Sequence, residues 1–253
     1  MTDVLIGYTG FVGGFLAGLE RFDLLIHRAN LDLLRHRSFD RVVCAGLPAA
    51  KWIANREPGA DRANMQLLRD TLRTVTAASF VLISTIDVYP RIRDADEDFD
   101  CGAASNHAYG QHRLEFEHFV RERFPHAHIL RLPALFGPGL RKNVLFDLMT
   151  GNQLEKVNLA SSFQWYPLER LPADIERAQR HDLRLANLFT EPLATSAIVD
   201  LCFPEAQLGA EAQPAVHYDL HTRYAQVFGG TGRYVMSAAA ALDAIGSFCG
   251  VAA

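Results

Sequence analysis

Gly7, Gly10 and Gly13 recur at three-residue spacing directly after Val4 to Ile6, an apolar run of the length of a buried strand. Phe11 to Leu19 then continues with helical periodicity. Strand, glycine turn and helix together turn backbone N–H groups and a helix N-terminus toward one point, the geometry that binds a pyrophosphate. The glycines divide the work among a tight turn, close approach to the ligand, and close packing of helix on strand. Gly7, Gly10, Phe11, Val12 and Gly13 are therefore candidate dinucleotide contacts. The competing reading is a strand-to-helix turn with no ligand.

Ser84 and Thr85 close another apolar run, Phe80 to Ser84, at the edge where open α/β sheets bind ligands. Further on, Tyr109 and Arg113 open a helix four residues apart, so phenol and guanidinium share a helical face. Taken singly, Thr85 also reads as a strand-end hydroxyl bonded to backbone, and Tyr109 as a helix-start tyrosine beside a surface loop.

The elements that must position these groups alternate. Strands are expected at Val4 to Ile6, Leu24 to His27, Arg41 to Ala45, Phe80 to Ser84 and His128 to Leu132. Helices are expected over Asp61 to Ala77, with Ala63, Leu67, Leu68, Leu72 and Val75 on one face, and over about His107 to Phe124. Such alternation implies a doubly wound α/β parallel sheet, the Rossmann fold, over residues 1–138. Residues 139–253 read as a smaller substrate-side region, with helices at Val144 to Thr150, Pro172 to Arg180, Thr195 to Leu201 (capped by Thr195) and Ser237 to Phe248. Leu185 to Phe189 and Val216 to Leu220 are its expected strands, and Ser105-Asn106 is an expected mobile loop.

Composition narrows the function classes. The chain has 253 residues, 49% hydrophobic and 21% charged, which is ordinary for a globular protein of one large domain or one domain with an appendage. Its net charge of -4 without a basic run argues against nucleic acid. Cys44, Cys101, Cys202 and Cys249 show no CxxC spacing, and the histidines show no HExxH spacing, so no metal is expected. Absence of a long apolar run and an N-terminus entering a strand directly lead us to expect a cytoplasmic protein without membrane contact.

The order and spacing of these pieces resemble the extended short-chain dehydrogenase/reductase family of nucleotide-sugar epimerases, dehydratases and reductases. The resemblance takes in the N-terminal glycines, Val42-Val43-Cys44-Ala45-Gly46, Asn64, Thr85 to Tyr89, the Tyr109 helix, and Leu130-Arg131-Leu132-Pro133 running into Phe136-Gly137-Pro138-Gly139. It implies NAD or NADP as cofactor and a sugar or nucleotide-sugar substrate. It makes Tyr109 the acid/base, with a neighbouring cation favouring its phenolate, and Thr85 the group that holds the same substrate oxygen. It further implies cofactor contacts from Ala45, Gly46, Asn64, Ser84, Tyr109, Arg113 and Pro133, and a homodimer through the Tyr109 helix and its predecessor.

Two departures stand out. The family's lysine, four residues after its tyrosine, is Arg113 here, which keeps the charge but presents a planar fork and cannot lose its proton. Either Arg113 supports an altered redox chemistry, or the fold binds dinucleotide as a regulatory or scaffold protein without turnover. Second, only Leu31 to Asp40 separates the second strand from the third, which shortens the wall of an adenine pocket. The second strand also ends without an acid, and Arg28 there either pairs with a 2′-phosphate, favouring NADP, or is a solvated loop residue. On the substrate side, Arg141 and Lys142 read as diphosphate partners or a solvated pair. Phe163-Gln164-Trp165-Tyr166 reads as a stacking surface or as core. By the resemblance to the family's sugar dehydratases Asp87 would be a leaving-group acid; by itself it reads as a solvated loop carboxylate.

Overall fold

The computed structural model describes residues 2–209 and 213–251. The chain opens with β1 (Asp3–Ile6), α1 (Phe11–Leu19), β2 (Leu24–Ile26), β3 (Ser38–Cys44), α2 (Lys51–Arg56), α3 (Pro58–Leu72), β4 (Thr76–Thr85), α4 (Ala108–Arg123) and β5 (Ala127–Leu132). It continues through β6 (Ala134–Phe136), α5 (Val144–Thr150), β7 (Ser162–Pro167), α6 (Leu171–Arg180) and β8 (Leu185–Asn187). β9 (Pro192–Ala194), α7 (Thr195–Cys202) and α8 (Ala238–Phe248) follow.

Six strands form a parallel sheet in the order β2-β1-β3-β4-β5-β8. Val4 pairs with Leu24 on one side and Val42 on the other, and Val42 pairs with Phe80. The strands are buried on both faces: Val4, Leu5 and Ile6 in β1, and every residue of β5. That is the pattern of a parallel sheet covered by helices. The chain steps from β1 outward to β2, then crosses to β3 on the far side. The topological switch point therefore lies between β1 and β3, where open α/β sheets bind ligands outside the strand ends. Dinucleotide-binding sheets commonly place a further strand outside the second. Here only residues 27–37 join β2 to β3, and they form a 3-10 turn (Arg28–Leu34), so β2 is the outer strand.

The described residues separate into two compact units. The first takes in the chain up to Pro90, Asp98–Arg131 and Ile175–Ala186; the second takes in Arg91–Glu97, Leu132–Asp174 and the chain from Asn187 on. The first is built on a core of sheet residues (Val4, Ile6, Val42, Phe80, Leu82, Ile129) packed on helix residues (Met65, Leu68, Leu72, Phe116, Val120). The second contains the sheet β6-β7-β9 and its own core around Phe136, Leu145, Trp165, Ile198 and Ile245.

Several boundaries differ from the sequence reading. α3 begins at Pro58, which suits a first helical turn, and stops at Leu72 rather than Ala77. The β-branched run Thr74, Val75, Thr76 prefers extended backbone, and Thr76 already pairs with Ser38, so β3 and β4 both start earlier than expected. The buried face of α3 is Asp61, Met65, Leu68 and Leu72, whereas Ala63 and Leu67 are exposed. Thr195 lies inside α7 rather than capping it, and its buried hydroxyl has no hydrogen-bond partner. Residues 216–220 make only isolated bridges, through His217 to Ser162 and Asp219 to Arg93. Trp165 and Tyr166 are buried in β7, and Gln164 bonds Thr190 O, Leu220 O and Leu220 N–H. Trp165, Tyr166 and Gln164 are thus core rather than stacking surface. No helix among the described residues is long and apolar enough to cross a membrane.

One buried ion pair ties α4 to the sheet. Arg131 of β5 donates to both carboxylate oxygens of Glu117 on α4, Nη2 to Oε2 at 2.7 Å and Nε to Oε1 at 3.1 Å, and Ser84 Oγ donates to Glu117 Oε1 at 2.5 Å. Removing one partner of such a pair strands a buried charge and costs about 3–5 kcal/mol. Glu117→Leu should therefore lower the unfolding free energy by about that amount. Adding Arg131→Met should recover much of the loss, which urea titration of the single and double variants would measure.

Candidate active site

The glycine turn closes the switch point. Gly7, at φ +91°, occupies left-handed backbone, and a Cβ there would lie 2.5 Å from Ala45 O. A Cβ on Gly13 would lie 2.1 Å from Gly7 O, so helix α1 rests directly on the turn. Neither position admits a side chain. Gly10, the extended N-cap of α1, meets only ordinary contact, with Gly7 O at 3.4 Å from its would-be Cβ. Helix geometry leaves the first N–H groups of α1, those of Phe11 and Val12 included, without intrahelical acceptors. No side chain caps them, and no acidic residue sits in the first turn. Such an end is electropositive and sterically open. The residues present therefore fit a pyrophosphate.

Around that turn the expected contacts scatter in role. Ala45 and Gly46 follow β3 beside Gly7, half-buried, and Asn64 is half-buried on α3. Arg28 is exposed at the start of the 3-10 turn after β2. His27 caps that turn, with its ring edge-on to Tyr8 at 5.6 Å between centroids. Asn30 Oδ1 accepts the His27 N–H at 2.7 Å, and Asn30 Nδ2 donates to Leu25 O at 3.1 Å. Ser84 is buried with its hydroxyl on Glu117, facing the core pair. Pro133 is buried and belongs to the second unit, as do the exposed Arg141 and Lys142.

The second constellation assembles where β4 meets α4. Thr85 ends β4, Asp87 lies in the 3-10 turn that follows (Ile86–Val88), and the Asp87 N–H donates to Thr85 Oγ1 at 3.2 Å. A side-chain hydrogen bond with Thr85 favours the ionised form of the Tyr109 phenol. His107 caps α4 by accepting the Gly110 N–H at 3.0 Å, and Asn55 of α2 accepts the Tyr109 N–H at 2.9 Å. Asn106 donates to Asp87 O and Val88 O at 2.9 and 3.1 Å, so this part of the expected loop is pinned. A Cβ on Gly110 would lie 2.1 Å from Asp87 O, and only glycine lets α4 approach the turn this closely.

Arg113 is the main surprise. Its side chain is 1% exposed and forks onto Asp61 of α3, Nη1 to Oδ2 at 2.5 Å and Nη2 to Oδ1 at 2.9 Å. Nη2 also donates to Pro48 O and Nη1 to Tyr109 O. The guanidinium stacks over the Tyr109 ring, 3.9 Å from its centroid. His112 Nδ1 approaches the same Asp61 oxygen at 2.7 Å. Burial by itself raises the Asp61 carboxyl, but its bonds and charge contacts with Arg113 and His112 prevail and hold it below the usual range. For Tyr109 the balance falls the other way. Burial outweighs the help from Arg113, Thr85 and Lys51 and, with Asp87 opposing, raises the phenol, contrary to the expected stabilised phenolate.

Sequence reasoning missed Asp61, Asn55 and Lys51. Lys51 Nζ lies 2.7 Å from Asp87 Oδ1, and His107 Nε2 lies 4.0 Å from the same oxygen. The available signal was position: Lys51 and Asn55 follow the loop leaving the carboxyl end of β3, the ligand edge of the sheet.

No protein-family model matches this chain, and no curated protein matches it. Solved structures do. The chain is similar to dTDP-4-dehydrorhamnose reductase from Yersinia enterocolitica (TM-score 0.74, 14% identity, 99% of each chain covered). It is also similar to RMD from Pseudomonas aeruginosa, solved with NADPH (TM-score 0.67, 17% identity, 98% of this chain and 99% of the other). A third is UDP-glucose 4-epimerase from Thermotoga maritima with UDP-glucose (TM-score 0.67, 14% identity, 89% and 91%). What they share with this chain is the fold.

The Asp61 carboxylate should contribute stability that is full above the ordinary carboxylate pKa of about 4 and lost as pH falls through its lower folded value. Asp61→Asn should cost about 3–5 kcal/mol at neutral pH by stranding Arg113. Urea unfolding at stepped pH should show the gap to the parent protein narrowing on acidification.

Proposed function

We propose that the chain is an extended short-chain dehydrogenase/reductase that binds NAD or NADP and acts on a hydroxyl or carbonyl of a sugar or nucleotide sugar. The observation that carries this reading is the pairing of Thr85 with Tyr109 at the sheet's carboxyl edge, in the same unit as the Gly7–Gly13 turn. The NADPH and UDP-glucose in the similar structures support the cofactor and substrate classes. The bound nicotinamide would supply a hydride or accept one. Gly7, Gly10, Phe11, Val12 and Gly13 would hold the pyrophosphate, Ala45, Gly46 and Asn64 would line the same site, and Arg28 would meet a 2′-phosphate. Pro133, by the family resemblance alone, would be a further cofactor contact.

Thr85 holds the substrate oxygen beside the phenol, fixing the distance over which a proton moves. A phenol kept protonated by burial suits donation to a carbonyl oxygen, the reductive direction. Arg113 holds the Tyr109 ring in place rather than approaching a ligand.

A second reading, a dinucleotide-binding protein without turnover, is favoured by one observation: Arg113 is locked to Asp61 and unavailable to a cofactor ribose. Two measurements separate the readings. NADP+ at about 100 times its dissociation constant should stabilise the protein by about 2.7 kcal/mol, seen as a raised unfolding midpoint, with NAD+ giving less. Tyr109→Phe should keep that shift while lowering turnover of a nucleotide-sugar substrate by about a hundredfold or more. Binding with undiminished turnover would remove Tyr109 from the chemistry, and binding without turnover in the parent would favour the second reading.

A further inference from the structure

A buried phenol that exchanges a proton needs a cation at its hydroxyl end, because burial alone disfavours the phenolate. Arg113 does not stand there. It lies over the ring face, and its fork is engaged by Asp61, Pro48 O and Tyr109 O.

The hydroxyl end leads instead to Lys51. The Tyr109 hydroxyl bonds Thr85, Thr85 Oγ1 accepts the Asp87 N–H, and Asp87 Oδ1 holds Lys51 Nζ at 2.7 Å. Lys51 and Asn55 stand four residues apart on α2 and so share a helical face. Asn55 anchors that face to α4 through the Tyr109 N–H, which aims Lys51 at the same corner. The Lys51 side chain is 40% exposed and that of Asp87 17%, so this pair meets solvent while the Arg113–Asp61 pair does not.

We propose that Lys51, held by Asp87, is the cation that serves the hydroxyl end of Tyr109, while Arg113 fixes the ring. Lys51 is thus a positioning residue for the proton exchange, and this assignment rests on Tyr109 being the acid/base. The groups around the Tyr109 ring are Arg113 from α4, His107 at the N-cap of α4 with ring centroids 6.3 Å apart, Asp87 from the turn after β4 and Lys51 from α2, with Asp61 of α3 behind Arg113. His107 adds no cation of its own, since burial and the nearby Lys51 charge both lower its imidazole. Arg113 remains the larger charge favouring the phenolate from the ring face; Lys51 partly offsets the opposing Asp87 charge, and without it Asp87 opposes ionisation more strongly.

The test is the ionisation of Tyr109 itself, read in the full chain as the absorbance difference at ~295 nm between each protein and its Tyr109→Phe counterpart, a tyrosinate signature that follows the charge balance at the ring. Lys51→Met should move the Tyr109 transition to higher pH, Lys51→Arg should return it toward the parent, and Asp87→Asn should move it to lower pH. If alkaline unfolding overtakes the Lys51→Met transition, Asp87→Asn is compared with the Lys51→Met/Asp87→Asn double variant, whose Tyr109 transition should lie at higher pH. An unmoved transition in Lys51→Met, or no difference between the Asp87→Asn single and double variants where unfolding intervenes, would overturn the assignment. The NADP+ shift of the unfolding midpoint, measured on the same proteins, reports separately on the functional reading: its absence in the parent defeats dinucleotide binding without touching the titration result.

Discussion

The bidentate pair between Arg113 and Asp61 is the constraint around which the first unit is arranged. It joins α4 to α3, takes in the Pro48 carbonyl of the loop after β3, and lays a flat cation across the Tyr109 ring. Two charges this deeply buried are tolerable only when each satisfies the other, and the fork of an arginine on a carboxylate does so in a way an ammonium does not. Asp61 in turn dictates which face of α3 is inward. The helix rotates until Asp61, Met65, Leu68 and Leu72 are covered, leaving Ala63 and Leu67 outside. A second buried pair, Glu117 with Arg131, does the same one turn further along α4 and takes the Ser84 hydroxyl into the core. The Tyr109 helix is thus fixed by ion pairs on two successive turns, and Gly110 lets its first turn press against Asp87 O.

That arrangement separates two duties. Holding the tyrosine ring falls to a guanidinium sealed from water. Supplying charge at its hydroxyl falls, in the proposal made above, to an ammonium at the surface of another helix. A rigid clamp and an exchangeable charge make opposite demands on burial, and two residues meet them without compromise.

Much of this was legible in the chain. The apolar strands, the glycine turn at Gly7 to Gly13, and the Thr85–Tyr109 spacing are local patterns, and local patterns survive folding because backbone geometry alone enforces them. The legible part ended where partners are distant in sequence. Asp61 looked like a helix-start acid, and nothing nearby marks it as the mate of Arg113. Lys51 sits in a short helix between Pro48 and Pro58, a stretch with too little periodicity to read. Ser84 appeared to face a ligand because strand ends usually do, but its hydroxyl bonds the buried Glu117 of helix α4. Trp165 and Tyr166 offered aromatic surface, but they lie in β7, the central strand of a small second sheet whose flanking strands β6 and β9 are three residues each and too brief to announce themselves.

The short passage from β2 to β3 has a consequence beyond the adenine wall. It leaves β2 as the border of the sheet, and a bare border strand is a template for other chains. This one is three residues long, which gives little length to copy. Asn30 also folds back from the following turn to occupy the Leu25 carbonyl and the His27 N–H. One amide side chain thereby takes up a donor and an acceptor that an incoming strand would use. The short passage thus leaves β2 at the margin while that margin stays guarded against aggregation.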